Sequence, residues 1–326
     1  MKAKVTIKDV AKHAGVSTST VSRVVSRKGK ISEETTLKVK ESIRTLGYVP
    51  NYSARSLVSS STDTIAVLVD RSPKSLNNSY FTEVLQAISD ELTMHNKELL
   101  LTFSKDNQEE KRRVKNLIET NRIDGVIKLT VRENDLTTKY LIKNKVPSVV
   151  IGNPEQKDEI LWVDNDNEQA MFEVVDSLIK DGHQKMCFVG GAAKFIVTKD
   201  RLAGFKKAHD KHGLKFDEAD IYYVDFSKED AYRNADKIIS KGYDAIVCID
   251  DAIAMGIYKR ADERRIKVKV TGFNNSNEIQ FLGYPISTVD IRTDLLGRSA
   301  VKLLLAALDG KQTQDSKIIK TEFIKK

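Results

Sequence analysis

The run Ser17-Thr18-Ser19-Thr20, followed by Ser22 and Arg23, carries the clearest chemistry in this 326-residue chain. Small hydroxyls let a helix approach phosphates and base edges closely, and an arginine further along can reach a guanine edge or a phosphate. β-branched hydroxyl residues are poor helix formers, so an ordinary helical hairpin gives no reason for them. Signals for catalysis fail one by one. Gly190-Gly191-Ala192-Ala193-Lys194 follows an apolar run, yet it has neither the GxGxxG nor the GxxxxGK[ST] spacing that cradles phosphate, and no GxSxG elbow occurs. Asp250-Asp251 could pass for the paired carboxylates of a hydrolase. Adjacent residues at a strand end point in different directions, however, and one of the two reads better as an acceptor for a ligand. His13 lies near the amino terminus, His95, His209 and His212 on amphipathic stretches among Lys and Glu, and His183 after Gly182, so all five histidines read as surface or capping residues. Cys187 and Cys248 sit singly inside apolar runs, which implies buried reduced thiols in a cytoplasmic protein and no metal site. The expectation is a protein that is no enzyme, with no cofactor.

Charge sorts with the hydroxyls. The first 61 residues hold 12 Lys and Arg against 4 acids and the other 265 hold 42 of each, so the net +8 sits entirely in the head. Alone this would read as a solvated basic face; beside the hydroxyl run it reads as the footprint of a polyanion-binding module. Thr6 can cap a helix over 7–14, with Ile7, Val10, Ala11 and Ala14 at helical spacing and Gly15 as its stop. Ser17 starts a second helix, 18–25, with Val21, Val24 and Val25 inward. Ser32-Glu33-Glu34 starts a third, 35–46, whose Leu37, Val39, Ile43 and Leu46 can close a small core before Gly47. Helix, glycine turn and helix make a helix-turn-helix, whose second helix enters the major groove. Pro50 breaks the chain, 51–57 hold only two helical turns, too few to be stable without a partner, and Ser59-Ser60-Ser61-Thr62 has a linker's composition.

From Thr64 onward, short apolar runs alternate with amphipathic stretches. Strands are expected at 65–69, 98–103, 125–129 and 148–151, with helices at 81–95, 108–121 and 135–144. A second series has strands at 186–189, 221–224, 245–249 and 268–272 and helices at 168–180, 199–212, 229–241 and 251–264. Repeated strand-helix units imply parallel sheets covered on both faces, and two series imply two lobes. A cleft at the carboxyl ends of the strands is then the default small-molecule site. No apolar run approaches the roughly 20 residues that span a bilayer, and the charged amino terminus lacks the apolar stretch of a secretion signal.

Several runs stand at the spacing of a known family. Val5-Thr6-Ile7-Lys8-Asp9-Val10-Ala11, Ala14-Gly15-Val16-Ser17, Thr20-Val21-Ser22-Arg23-Val24 and Gly47-Tyr48-Val49-Pro50-Asn51 resemble the head of the lactose-repressor (LacI/GalR) family of bacterial transcription factors. Val163-Asp164-Asn165-Asp166-Asn167, Arg201-Leu202-Ala203-Gly204-Phe205, Asp250-Asp251 and Gly272-Phe273-Asn274-Asn275 resemble the family's body, itself similar to periplasmic sugar-binding proteins. The resemblance implies an α/β chain with an all-α helix-turn-helix head, 1–49, a hinge helix and linker, 50–62, and a two-lobed body with parallel sheets, 63–326. One lobe would be 63–161 with 292–320, the other 162–291. It implies operator DNA as partner, contacted by Thr6, Ser17, Thr18, Ser19, Thr20, Ser22, Arg23, Tyr48, Asn51, Ala54 and Arg55, with Leu57 as an apolar wedge at the central minor-groove step. In the body it implies that Arg201 clamps ligand hydroxyls and that Asp250 and Asn274 hydrogen-bond an effector. Many relatives have Asp where this chain has Asn274, which turns an obligate acceptor into a mixed donor and acceptor.

Rings supply the other half of a sugar site, and Tyr80, Phe226 and Trp162 are the candidates, with hinge packing as an equal reading for the lone tryptophan. The run Ile160 to Asp166 resembles maltose-operon repressors, which implies maltose or a maltodextrin as effector. A homodimer is expected, with 81–95 and the region of Phe281 to Tyr284 as contact candidates, and no tetramerising coiled coil in the short tail 318–326. Other readings stay open: a catabolite-control regulator that uses a phosphorylated carrier protein as corepressor, a corepressed purine-type relative, or a sugar-binding protein or sugar kinase without DNA function.

Overall fold

Thr6 opens the first helix by folding back on Asp9: its N–H and hydroxyl both donate to Asp9 Oδ2, at 2.8 and 2.7 Å. The computed structural model describes residues 5–26, 30–49, 61–70, 76–311 and 316–326. Helix α1 (Ile7–Ala14) ends at Gly15, in the left-handed conformation, and the chain turns into α2 (Thr18–Ser26). Ser17 Oγ accepts from the Thr20 N–H at 3.1 Å. Ser32 caps α3 (Glu33–Leu46) in the same way through the Thr35 N–H. Val10, Ala11, Val21, Val24 and Val39 close a small core, with Ile43, Leu46 and Tyr48 packed against it. Leu37, expected in that core, is 66% exposed. The inward face of α3 is set by Val39, Ile43 and Leu46, and a residue two positions before Val39 points the other way.

Residues 63–326 form the second unit. Its larger sheet contains β1 (Thr64–Asp70), β2 (Glu98–Ser104), β3 (Gly125–Lys128), β4 (Ser148–Ile151), β5 (Leu161–Asn165) and β11 (Lys317–Ile319). The strands are parallel in the order β11-β5-β4-β3-β1-β2. The smaller sheet, β6 (Met186–Gly190), β7 (Ile221–Tyr223), β8 (Ala245–Cys248) and β9 (Lys269–Thr271), is parallel in the order β7-β6-β8-β9. Helices α4 (Ser79–Met94), α5 (Asn107–Glu119), α6 (Leu136–Lys143) and α12 (Thr293–Leu308) go with the first lobe. The second has α7 (Asn167–Lys180), α8 (Ile196–His212), α9 (Lys228–Ile239), α10 (Asp251–Glu263) and α11 (Asn277–Leu282). Strands β3, β4, β6 and β8 are buried at every position, as strands covered on both faces must be.

The connection between lobes departs from expectation. All of β5 lies in the larger sheet, so the first crossing follows Asn165 and not residue 161, and Trp162 belongs to the first lobe. The presumed tail instead forms β11 and then β12 (Glu322–Ile324), which pairs antiparallel with β10 (Thr288–Asp290) of the second lobe. The chain therefore crosses three times. A single amide joins the crossings: Asn165 Nδ2 donates to the carbonyls of Ile291, at 3.1 Å, and Ile319, at 2.9 Å.

His209 is not on the surface but buried, its ring 4.3 Å from that of Phe205. Cys187 and Cys248 are free and buried. No helix among the described residues is long and apolar enough to cross a membrane.

Helices α7 and α8 meet at Gly204, where an added Cβ would stand 2.1 Å from the Glu168 carbonyl oxygen and 2.9 Å from the Phe172 nitrogen. The obstacle is backbone, which cannot rotate away. Gly204→Ala is expected to lower unfolding free energy by about 2–3 kcal/mol, measured by urea titration; a change below about 0.5 kcal/mol would show that the helices part freely.

Candidate functional site

The carboxyl ends of both sheets face a cleft lined from both lobes, which is where such sheets take small molecules. Its central cation is Arg201, on α8 and buried. The guanidinium carbon stands over the Phe273 ring, 3.5 Å from its centroid. Nε donates to Asn167 Oδ1 at 2.9 Å, and one terminal N–H donates to the Ile249 carbonyl. Burial lowers its pKa to about 10, against the pull of Asp250 and Asp164, and it remains charged at neutral pH.

Asp250 caps α10, accepting from the Ala252 N–H at 2.7 Å. Its carboxylate also takes the amide of Asn274, at 3.0 Å, and that of Asn78, 3.1 Å from both oxygens. Asn78 is the cap of α4, its Oδ1 accepting from the Tyr80 N–H at 3.0 Å, so two helix caps from opposite lobes meet in one hydrogen-bonded pair. Burial raises Asp250 to about 6, although Asn78 and Arg201 favour the charged form. Asp164, at the end of β5, takes the Asn167 amide at 3.0 Å, and burial pushes it to about 7. Asp251 turns away, accepting from the Ser276 N–H and the Thr288 hydroxyl, both at 2.7 Å.

Phe195 and Phe226 wall the second-lobe side, edge to face with centroids 6.0 Å apart, and Tyr80 faces them from the first lobe. Burial beside Asp164 and Asp250 holds the Tyr80 phenol well above its usual pKa. The glycine run 190–191 has a steric purpose here: a Cβ on Gly191 would lie 1.9 Å from the Phe226 ring.

Five residues singled out from sequence thus line one cleft: Tyr80, Arg201, Phe226, Asp250 and Asn274. Trp162 does not. Alternation along β5 sends Val163 to the core and Trp162 to the other side, against Val131, Val150 and Ile160, with Lys157 Nζ 5.5 Å from the centre of its ring. Sequence reasoning missed Asn78, Asn153, Asp164 and Asn167 as cleft residues. For Asp164 and Asn167 the signal was the Asp-Asn-Asp-Asn run at a strand end; Asn78, in a loop, offered none.

On the head, Thr6, Ser17, Thr18, Ser19 and Arg23 are exposed, while Thr20 and Ser22 are half-buried. The Ser17 hydroxyl is shared among the Thr20 N–H and the hydroxyls of Ser19 and Thr20, which fixes the start of α2. Tyr48 is half-buried on the head core. Asn51, Ala54, Arg55 and Leu57 lie outside the described residues. Among those described, no cluster of three metal-ligating side chains occurs.

A DNA-reading fold joined to a two-lobed ligand-binding body defines a ligand-controlled transcription regulator, and comparison with known proteins agrees. Residues 6–51 match the model for bacterial regulatory proteins of the lacI family, and residues 62–326 match that for periplasmic binding proteins and the sugar-binding domain of the LacI family. The chain belongs to the lacI family of bacterial regulatory proteins, as a DNA-binding, sugar-responsive repressor. It is 35% identical to the HTH-type transcriptional regulator MalR of Streptococcus pneumoniae, covering 94% of this chain and 93% of that one. It is 30% identical to catabolite control protein A of Priestia megaterium, covering 97% and 96%. The lac repressor dimer bound to operator and the anti-inducer ONPF has the same fold, with a TM-score of 0.87 at 22% identity, over 99% of this chain and 98% of that one.

The raised pKa of Asp164 has a signed consequence. In the unfolded chain the carboxyl ionises near 4, whereas in the folded protein it takes up a proton as pH falls through about 7. The folded state gains relative to the unfolded from about pH 8 down to 4. Asp164→Asn has no such proton to gain, so its Tm advantage over wild type is expected to shrink by several degrees between pH 8 and pH 5.5. A gap that stays constant would place the carboxylate in an unperturbed setting.

Proposed function

We propose that this chain represses a carbohydrate-utilisation operon as a homodimer, and that an unphosphorylated sugar, maltose or a maltodextrin, binds the cleft and releases the operator. The observation that carries this reading is the make-up of the cleft: one buried guanidinium, two buried carboxylates and several amides between phenyl rings. Amides and carboxylates suit the hydroxyls of a polyol, and the rings suit its apolar face. A sugar phosphate would bring more negative charge beside Asp164 and Asp250, whose ionisation burial already opposes, with Arg201 as the one cation lining the cleft among the described residues. The likeness to MalR supports maltose in particular.

In this reading Thr6, Ser17, Thr18, Ser19, Thr20, Ser22 and Arg23 face operator DNA, Leu57 is the minor-groove wedge, and the protein works in the cytoplasm without catalysing a reaction. Phe281, 90% exposed, and Leu282 on α11 support pairing with a second copy. Likeness to catabolite control protein A favours a second reading, in which a phosphorylated carrier protein is the corepressor and sugar has no direct effect.

Thermal shift with maltose, maltotriose and glucose 6-phosphate, followed by operator gel shift, separates them. The expected result is stabilisation and operator release by a neutral glucan and no effect of the phosphate ester; release by no free sugar would favour the second reading. Arg201→Ala is expected to weaken sugar binding by about 100-fold and abolish release while operator affinity holds, since a buried charged donor is lost. A normal sugar response in that variant would remove Arg201 from the site. Leu57→Ala should weaken operator binding more than binding to random-sequence DNA, and equal losses on both would deny it the wedge.

A further inference from the structure

Four ionisable side chains outside the cleft lining are buried together at the end of β3. Lys128, 1% exposed, bonds Glu110 on α5 and lies 3.1 Å from Asp135, the cap of α6. Arg132 reaches the other Glu110 oxygen at 3.2 Å. The group is neutral overall, and apolar side chains of similar volume would pack such a space at no loss of stability. What charges supply is fixed geometry.

The segment they hold is the first lobe's lip. Lys128 and Arg132 flank Leu129, Thr130 and Val131, which line the cleft. Directly beyond, the lip makes a short antiparallel ladder with the second lobe: Arg132 pairs with Phe195, the Glu133 N–H donates to the Lys194 carbonyl at 3.0 Å, and the Ile196 N–H donates to the Val131 carbonyl at 3.2 Å. Glu133 and Lys199 add an ion pair across the gap.

We propose that Lys128, Glu110, Arg132 and Asp135 are positioning residues for lobe closure, holding the lip in the one arrangement whose backbone meets residues 194–196. The role of the lip in sugar response rests on the cleft being the effector site. The contact itself does not, and it can be tested without ligand.

The test is hydrogen–deuterium exchange by mass spectrometry on the full chain, comparing peptides over 130–135 and 193–199 with one over 124–128. In Lys128→Met/Glu110→Met, which removes one charge of each sign, the first two are expected to exchange about tenfold faster while the third, within β3, is unchanged. Glu110→Gln, a smaller change, should move them in the same direction and serves if the double variant does not fold. Unchanged exchange at the lip, or faster exchange that spreads equally into 124–128, would overturn the proposal by making the network ordinary core. Maltose titration of the same variants adds a separate readout: failure of wild type to bind maltose counts against the proposed effector only, whereas wild-type affinity in a variant with a loosened lip counts against positioning.

Discussion

A permanent positive charge buried between two lobes is the constraint around which this body is arranged. Arg201 cannot shed its proton at neutral pH, so its surroundings must compensate. They do so with a ring face, an amide oxygen and a backbone carbonyl, all from the second lobe or its entrance. The carboxylates that balance its charge, Asp164 and Asp250, stand at strand ends in different lobes, and both are pushed toward neutrality by the same burial. In the proposed reading, a site with its charge so divided takes a ligand that brings hydroxyls and no charge of its own.

The second requirement is that the lobes stay free to move without coming apart. Three chain crossings meet at Asn165, whose single amide serves both returning strands, so the connection is narrow and firmly fixed at one point. Away from that point polar groups cross between the lobes, Asn78 with Asp250, Asn153 with Asp200 at 3.0 Å, Glu83 with the Asn277 N–H at 3.3 Å, and the lip ladder, beside the apolar contact of Ile196 with the Val131 cluster. The polar contacts trade for contacts with water at small net cost, so a ligand that competes for them can shift the balance between lobe arrangements.

Much of this was legible in the sequence because the relevant signals are local. Strand-helix alternation gave both lobes, since strands buried on two faces read as unbroken apolar runs. Caps at Thr6, Ser17 and Ser32 announced the head helices. Legibility failed where tertiary pairing decides the outcome. Ile318-Ile319 looks like the start of a short tail until β5 pairs with it, and Trp162 looks like a cleft residue until the pleat of β5 turns it away. Leu37 fails by helical phase and His209 by neighbours, since only the fold shows Phe205 and Phe216 around it. In the site, residues on strand ends and helix starts were recognisable from the family's motifs, whereas Asn78 had no periodicity to mark it.

Asn78 shows most directly how a solute could move the lobes. The Asp250 carboxylate is already shared by the cap of its own helix, by Asn274 and by Asn78 across the cleft, which uses most of its acceptor positions. A sugar hydroxyl that bonds Asp250 must therefore take the place of an amide and does not simply add to what is there. If it replaces Asn274, the cross-lobe bond survives and the lobes remain as they are. If it replaces Asn78, the cap of α4 loses its bonds to both Asp250 oxygens, and a change at that carboxylate reaches the first lobe through the start of a sixteen-residue helix. The second exchange gives the ligand different free energies in two lobe arrangements, and such a difference is what ligand control of DNA binding demands.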